Sequence, residues 1–319
     1  MAKSFLITGG AGTIGRQITR LLHVEDPATR IVIYNRDEGK QADMARELPE
    51  GGPVGIRYML GDINDTDRLI HALRGITHVI HAAAIKMIDW ADYNAWETIK
   101  TNVNGTLSVA RACIKAGVNH AILLSTDKAA DGPVGVYGQS KLLAETAFID
   151  SNNYGDCRFN ACRYGNVLYA NKSVFYQWER QARSGDPITV TDDAVTRFYW
   201  SVSDAAHFVC CRAMGETDRG LIYIPKMRGV RLIDLARKYS DNIKITGFRC
   251  PEKLHEALWS VAESYRTYDR EDYYVIHPYT HQWGAMVETG RPIQAGWKLT
   301  SNSEYEKTDY RKAVEEMVK

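Results

Sequence analysis

At 319 residues the chain is long enough for two domains, or for one large α/β unit with a cap. Forty basic residues against thirty-nine acidic ones leave a formal charge of +1, which gives no electrostatic case for nucleic acid or an anionic membrane as a partner. The 45% apolar and 25% charged composition is that of a soluble globular protein; the apolar run in MAKSFLITGG is too brief for a secretion signal, and no later run approaches a membrane helix.

Ser4 to Thr8 reads as a short strand that enters GGAGTIG and then an apolar-periodic helix from about Thr13 to His23. Strand, glycine turn and helix in that order make a dinucleotide fingerprint. Gly9, Gly12 and Gly15 fit T-G-x-x-G-x-x-G, and Gly10, Gly12 and Gly15 fit G-x-G-x-x-G equally well. In either register the backbone can approach a pyrophosphate, which then meets the free N–H groups at Thr13 and Ile14. A second strand, Arg30 to Tyr34, ends at Asn35-Arg36. An NAD site usually places an acid here, about twenty residues past the glycines. An amide and a guanidinium instead suit a 2′-phosphate, so NADP is expected, with NAD left possible.

Three further β-type segments follow at α/β spacing. Gly55 to Leu60 leads to Gly61-Asp62-Ile63, His78 to Ala82 to a run of alanines, and Ala121 to Leu124 to Ser125. Helical stretches lie between them, notably Thr66 to Leu73 and Ala95 to Lys115. The alternation predicts an α/β, Rossmann-type doubly wound parallel sheet. Ligands on such sheets bind beyond the carboxyl ends of the strands, which gathers Asp62, Ile63, Ala82, Ala83 and Ser125-Thr126 around one crevice. Asp62 is a candidate for the adenine amino group or for a simple turn. Asn102, inside an amphipathic stretch, is a candidate for bonding a neighbouring backbone beside the cofactor.

The segment STDKAADGPVGVYGQSK, Ser125 to Lys141, concentrates the reactive groups. Tyr137 and Lys141 are four apart, on one helical face, and an ammonium beside a phenol favours the phenolate. That is an acid/base arrangement suited to oxidising an alcohol.

Gly138 to Asp150 reads as a helix, and Arg158 to Cys162 as a sixth strand ending at Arg163-Tyr164-Gly165-Asn166. Strict alternation then stops, which places a boundary near Leu168. Residues 1–168 form the cofactor domain, and 169–319 form mainly a smaller mixed α/β substrate domain, with one strand near 221–225 returning to the sheet. Val174 to Ser184 and Ser203 to Gly215 read as helices, Ile243 to Thr246 as a strand and Lys253 to Leu258 as a short helix. The tail from Tyr265 is rich in Tyr, His and Trp, for which packing against the core is the default. Six cysteines without CxxC spacing read as core thiols in a reducing cytoplasm, and no metal is expected.

TGGAGTIG, GDIND, HAAA, STDK, YGQSK and RYGN in this order resemble the extended short-chain dehydrogenases/reductases. YNRDEGKQ, AAIKMIDWADYNAWETIKTNVNGT, STDKA, TRFYW, PEKLHE and EDYYVIHP narrow the resemblance to the inverting UDP-N-acetylglucosamine 4,6-dehydratases and their capsule-biosynthesis relatives, from Lys3 to about Pro278. The resemblance implies that Tyr137, kept ionised by Lys141 and the cofactor, takes the proton of the sugar's 4-hydroxyl while Thr126 hydrogen-bonds that oxygen. Lys128 then removes the carbon-5 proton and Asp127 protonates the departing 6-hydroxyl. As a base, Lys128 needs its pKa lowered by burial or neighbouring cations. The resemblance also implies Lys86 near the sugar and cofactor, Tyr164 near the cofactor, Asn166 on the diphosphate, and Arg197, Glu252 and Lys253 on the nucleotide. A homo-oligomer is implied, through a helical face of the cofactor domain.

The chain departs from that pattern where Leu168-Tyr169-Ala170-Asn171-Lys172-Ser173 follows RYGNV, in a longer loop from Lys128 to Tyr137, and at Cys250-Pro251. The added Tyr169 is expected to reshape the sugar pocket. A dehydratase of UDP-glucose or another nucleotide sugar, a 4-epimerase, and an NADP-binding regulatory protein are the alternatives. Asp127-Lys128 argues against the epimerase, and the intact Thr126, Tyr137 and Lys141 against the regulator.

Overall fold

The computed structural model describes residues 2–48, 55–170, 173–215, 218–248, 251–279 and 290–307. The chain opens with β1 (Ser4–Thr8), α1 (Thr13–Glu25), β2 (Arg30–Asn35), α2 (Glu38–Glu47), β3 (Ile56–Leu60), α3 (Thr66–Ala72) and β4 (His78–His81). Two short helices follow, α4 (Ile88–Tyr93) and α5 (Ala95–Ile99), and then α6 (Gly105–Ala116), β5 (His120–Thr126), α7 (Gly135–Asp150) and β6 (Arg158–Tyr164). With β10 (below) these six strands make the parallel body of a ten-stranded sheet, in the order 3-2-1-4-5-6-10. The strands β1, β4 and β5 are buried along their whole length, as parallel strands covered on both faces must be. The strand order reverses between β1 and β4, so a crevice opens beyond the carboxyl ends of these two strands.

The second half contributes β7 (Asn166–Val167), α8 (Val174–Ser184), β8 (Ile188–Val190), β9 (Thr196–Trp200), α9 (Val202–Met214), β10 (Ile222–Pro225), β11 (Arg228–Arg231), α10 (Leu232–Ala236) and β12 (Ile243–Ile245). It ends with α11 (Val261–Ser264), β13 (Thr267–Asp269), β14 (Tyr273–Ile276), β15 (Arg291–Pro292) and α12 (Ser301–Lys307). Two small sheets, β11-β9-β7 and β12-β8, enclose a second core that includes Leu168, Phe175, Trp178, Ile188, Tyr199 and Leu235. The strands β14, β13 and β15 extend the large sheet antiparallel beyond β10.

Several expected elements differ. Ala95 to Lys115 is helical throughout but contains a π-type turn at Lys100–Asn104, and α7 starts three residues before Gly138. Lys253 to Leu258 is not a helix. Its backbone is engaged by neighbours: Leu254 O accepts from Thr196 N, Leu258 N donates to Leu299 O, and Ala257 bridges Thr300. The Tyr169 ring turns away from the crevice, packs 5.1 Å from Phe175 and shares a 2.8 Å hydrogen bond with Tyr239. Asn171, Lys172 and Cys250 lie outside the described residues.

Candidate active site

A cleft of about 1640 Å³ runs along the carboxyl ends of the parallel strands into the second half of the chain. Gly9, Gly12, Thr13, Ile14 and Gly15 form its floor. Gly9 adopts φ +66°, and a Cβ there would sit 2.8 Å from the Ala83 backbone. A Cβ on Gly15 would lie 2.5 Å from Gly10 Cα, so only glycine lets the turn close against α1. The α1 N-terminus has no side-chain cap and no acid in its first turn. The first turn of α1 lines the cleft, where a pyrophosphate of a dinucleotide fits.

Asn35 and Arg36 line the far end with Asp62 and Ile63. The Arg36 guanidinium stands 3.7 Å from Asp62 and 3.8 Å from Glu97. Asp62 Oδ1 accepts from the backbone and side chain of Asn64, so one of its oxygens shapes its own turn. Ala82, Ala83 and exposed Lys86 continue the wall, and Tyr164 closes it opposite. Asn102 does not line the cleft. It is buried, its Oδ1 accepts from Ile85 N, and its Nδ2 donates to Ile85 O and Ser140 Oγ. Both amide donors and the amide oxygen are thus engaged in tying the segment after β4 to α7, which supports the wall instead of touching a ligand.

At the end of β5 the reactive groups converge. Thr126 Oγ1 donates to Asp127 Oδ1 at 2.9 Å, and Lys128 Nζ reaches the same oxygen at 3.1 Å and Asn166 Oδ1 at 3.3 Å. Tyr137 and Lys141 line the cleft from the first two turns of α7. Lys141 Nζ is tied to Leu124 O at 2.6 Å, and burial lowers its pKa to about 8 against the opposing pull of Glu145. Burial pushes the Tyr137 phenol up, and Asp127 and Glu256 add to that; Lys128 and the Thr126 hydroxyl oppose it without reversing it. The lowering expected from its spacing to Lys141 is therefore not found.

The lowering that Lys128 needs in order to act as a base is also not found. Burial disfavours its charge, but the carboxylates of Asp127 and Glu256 outweigh that and hold the ammonium well above its ordinary range. Asp127, fully buried, is pushed up by burial against the pull of Lys128, which suits a proton donor.

Two cations assigned to substrate are engaged by the protein. Arg197 is 5% exposed; its guanidinium donates to Thr196 O, Leu254 O and Glu252 Oε1 and stands 3.9 Å from Glu256. Its partner is thus Glu252, which also accepts from Thr191. Lys253 Nζ donates to Ala130 O and Asp131 O, and Lys298 pairs with Asp131 at 2.9 Å. These contacts tether the long loop between Lys128 and Tyr137, whose Asp131 sits at φ +48°. Arg197, Glu252 and Lys253 all line the cleft, but as a framework around the Asp127-Lys128 pair.

Sequence reading missed Glu256. It lies in the PEKLHE run that carries the resemblance, yet only its 3.4 Å approach to Lys128 gives it a place in the site.

Residues 5–278 match a family described as polysaccharide biosynthesis protein. The chain is 38% identical to a UDP-N-acetylglucosamine 4,6-dehydratase (inverting) of Campylobacter jejuni, over 94% of this chain and 93% of that one. Its fold is similar to the X-ray structure of Pen from Bacillus thuringiensis, with a TM-score of 0.88, 27% identity and coverage of 99% and 98% of the two chains. The fold is shared more distantly with DesIV, a dTDP-glucose 4,6-dehydratase from Streptomyces venezuelae solved with NAD, with a TM-score of 0.67, 21% identity and coverage of 79% and 86%. By this match over most of its length, and by the dinucleotide turn and Thr-Asp-Lys/Tyr-x-x-x-Lys cleft that accompany it, the chain belongs to the polysaccharide biosynthesis protein family.

Proposed function

We propose that this protein is a nicotinamide-dependent UDP-N-acetylglucosamine 4,6-dehydratase that inverts carbon 5. The observation that carries the reading is the contact of Asp127 with both Thr126 and Lys128, with Tyr137 beside them in one cleft. An oxidation needs only the tyrosine and lysine of α7; the additional buried acid next to an amine suits loss of water.

On this reading Tyr137 takes the 4-hydroxyl proton and Thr126 orients the oxygen. A bound nicotinamide dinucleotide supplies the hydride acceptor at carbon 4 and the donor at carbon 6. Lys128 removes the carbon-5 proton made acidic by the 4-ketone, and Asp127 gives its proton to the leaving 6-hydroxyl. Asn166 faces the diphosphate, and Lys86 the sugar. Thr13, Ile14 and the Gly9–Gly15 turn hold the cofactor pyrophosphate. Asn35 and Arg36 favour NADP, because a 2′-phosphate gives Arg36 a stronger partner than Asp62 at 3.7 Å. Tighter binding of NAD than NADP in calorimetry removes Arg36 from that role.

A homo-oligomer belongs to the same proposal. Trp90, Tyr93, Trp96, Ile99 and Leu143 on α4, α5 and α7 are exposed, Tyr93 at 89% and Trp96 at 92%. Large aromatic groups on neighbouring helices suit burial against a second copy. Among the described residues no helix is long and apolar enough to cross a membrane. The free thiols Cys113, Cys157, Cys162 and Cys210 fit a reducing cytoplasm.

The test is to incubate the protein with UDP-N-acetylglucosamine and with UDP-glucose and weigh the products. Loss of one water from the first supports the proposal. An unchanged mass with a new stereocentre makes the protein an epimerase, and no reaction with either sugar overturns catalysis on them.

A further inference from the structure

The segment 251–258, an irregular strap from the second half of the chain, passes over the start of α7 and delivers Glu256 to the end of β5. Glu256 N is fixed by Ser301 Oγ at 3.1 Å, and Glu256 O accepts from Ser301 N at 2.8 Å. The side chain, 3% exposed, places Oε1 3.4 Å from Lys128 Nζ and 3.9 Å from Arg197 Nε. Its second oxygen, Oε2, and Asp127 Oδ2 are buried without a hydrogen-bond partner among the described residues. Two orphaned acid oxygens on either side of one ammonium are expensive to keep unless protons or a ligand engage them.

The ion pairs arrange themselves as an alternating chain: Glu252, Arg197, Glu256, Lys128, Asp127. Three carboxylates thus meet two cations, while Lys253, the next cation in this region, points its ammonium at carbonyl oxygens. One extra proton neutralises the chain. Asp127, the most deeply buried acid, is the natural holder, as its role toward the leaving hydroxyl requires. Asp127 then cannot also relieve Lys128 of its proton. Glu256 is the remaining carboxylate within reach of Nζ.

We infer that Glu256 is a positioning residue that acts through Lys128, receiving the ammonium proton so that Lys128 becomes the free amine that takes the carbon-5 proton. This rests on the dehydratase reading above and deepens it. With the cleft open, water and the two facing charges keep the pair ionised. A substrate that covers the cleft removes that water, and a buried neutral amine–acid pair is then favoured over a buried ion pair. The proton moves from Lys128 Nζ to Glu256 Oε1. The amine lone pair takes the carbon-5 proton, the C–H electron pair enters the enolate of the 4-ketone, and the 6-hydroxyl leaves with the Asp127 proton as water. The cluster then holds as many protons as before, with one on Glu256 in place of Asp127, and return of that proton restores the acid.

The groups around Glu256 that titrate or carry charge are Asp127 and Lys128 after β5, Tyr137 on α7, Arg197 on β9 and Lys253 on its own strap. An internal transfer leaves the balance of these groups with bulk solvent unchanged. Solvent exchange at carbon 5 by the wild-type enzyme is therefore expected to be level across neutral pH.

The test measures deuterium incorporation at carbon 5 of UDP-N-acetylglucosamine across pH, by the full-length protein with its cofactor. In Glu256→Gln the amine proton must leave to solvent. Exchange at neutral pH is expected to fall by about a hundredfold or more and to rise with pH, with cofactor affinity unchanged. A loss that leaves the pH dependence level, or no loss, overturns the inference and assigns Glu256 a structural role. If Glu256→Gln does not bind cofactor, Glu256→Ala supplemented with acetate decides. Acetate-dependent exchange supports the inference, and exchange indifferent to acetate refutes it. Absence of exchange and water loss in the wild type refutes the dehydratase reading itself, which separates that failure from this one.

Discussion

Lys128→Met tests the charge chain most directly, because it removes the ammonium while keeping a side chain of similar length. Nζ lies 3.1 Å from Asp127 Oδ1 and 3.4 Å from Glu256 Oε1. At an effective dielectric constant of about 20, the contact with the Glu256 carboxylate corresponds to roughly 5 kcal/mol of gross attraction, and the contact with Asp127 adds less while that acid holds a proton. The desolvation of three buried groups offsets most of this. The net loss on removing the cation alone is about 3–5 kcal/mol, because the two acids remain buried without it. The acids answer by taking up protons. Glu256, held below its ordinary range chiefly by Lys128 and Arg197 against burial, rises in the variant. A carboxyl raised above its unfolded value destabilises the fold above that unfolded value, and the cost grows as pH climbs toward the folded one. The variant's deficit against wild type is therefore small near pH 5 and larger near pH 8, on the order of the full 3–5 kcal/mol. Urea unfolding at several pH values reads this, and cofactor titration shows that the cleft survives. Carbon-5 exchange is expected to drop by about 10²–10⁴. A deficit that is independent of pH refutes the coupled cluster; retained exchange assigns the base to another residue.

Two further outcomes follow from groups outside the cleft. His81, His120 and His78 lie buried on β4 and β5, and burial lowers them to about 3, about 3 and about 4. For depressed histidines, stability is complete above the unfolded pKa of about 6.5 and is lost as pH falls toward the folded values, at about 1.4 kcal/mol per pH unit for each. Together they predict a loss of roughly 4 kcal/mol per pH unit below about pH 6 and acid unfolding near pH 5, and level denaturant stability from pH 7 to 5 contradicts this. At the exposed aromatic face, Trp96→Glu combined with Tyr93→Glu is expected to lower the mass seen by light scattering to that of one chain without changing cofactor affinity. An unchanged mass places any subunit contact elsewhere.

What the sequence makes legible here is local. The strands β1, β4 and β5 are apolar along their length because both faces are covered, and GGAGTIG between a strand and a helix admits few other conformations, so the sheet and its cofactor turn can be read directly. Thr126, Lys128, Tyr137 and Lys141 are likewise close in the chain, and the structure brings them to the cleft, with Asp127 fully buried behind Thr126 and Lys128. The misreadings all involve partners distant in sequence. Arg197 and Lys253 look like cations for the nucleotide, but the first is committed to Glu252 and two carbonyls and the second to the Ala130-Asp131 backbone. Lys253 to Leu258 has the composition of a helix, yet its backbone bonds to β9 and to Leu299.

The state of Lys128 is the clearest case. A lysine in a cleft invites the expectation of a lowered pKa, and burial does push that way. Whether burial wins depends on how many carboxylates face the ammonium; the nearer, Asp127, is its neighbour in the chain, and the second, Glu256, arrives on a strap anchored by Ser301 near the far end of the described chain. A motif thus specifies which groups are present, while the sign of their charge balance is a property of the tertiary fold. For the proposed mechanism the consequence is that a lysine resting as an ammonium must be relieved of its proton before it acts as the base, and on that reading the strap that supplies the second acid belongs to the chemistry as much as the motif that supplies the lysine.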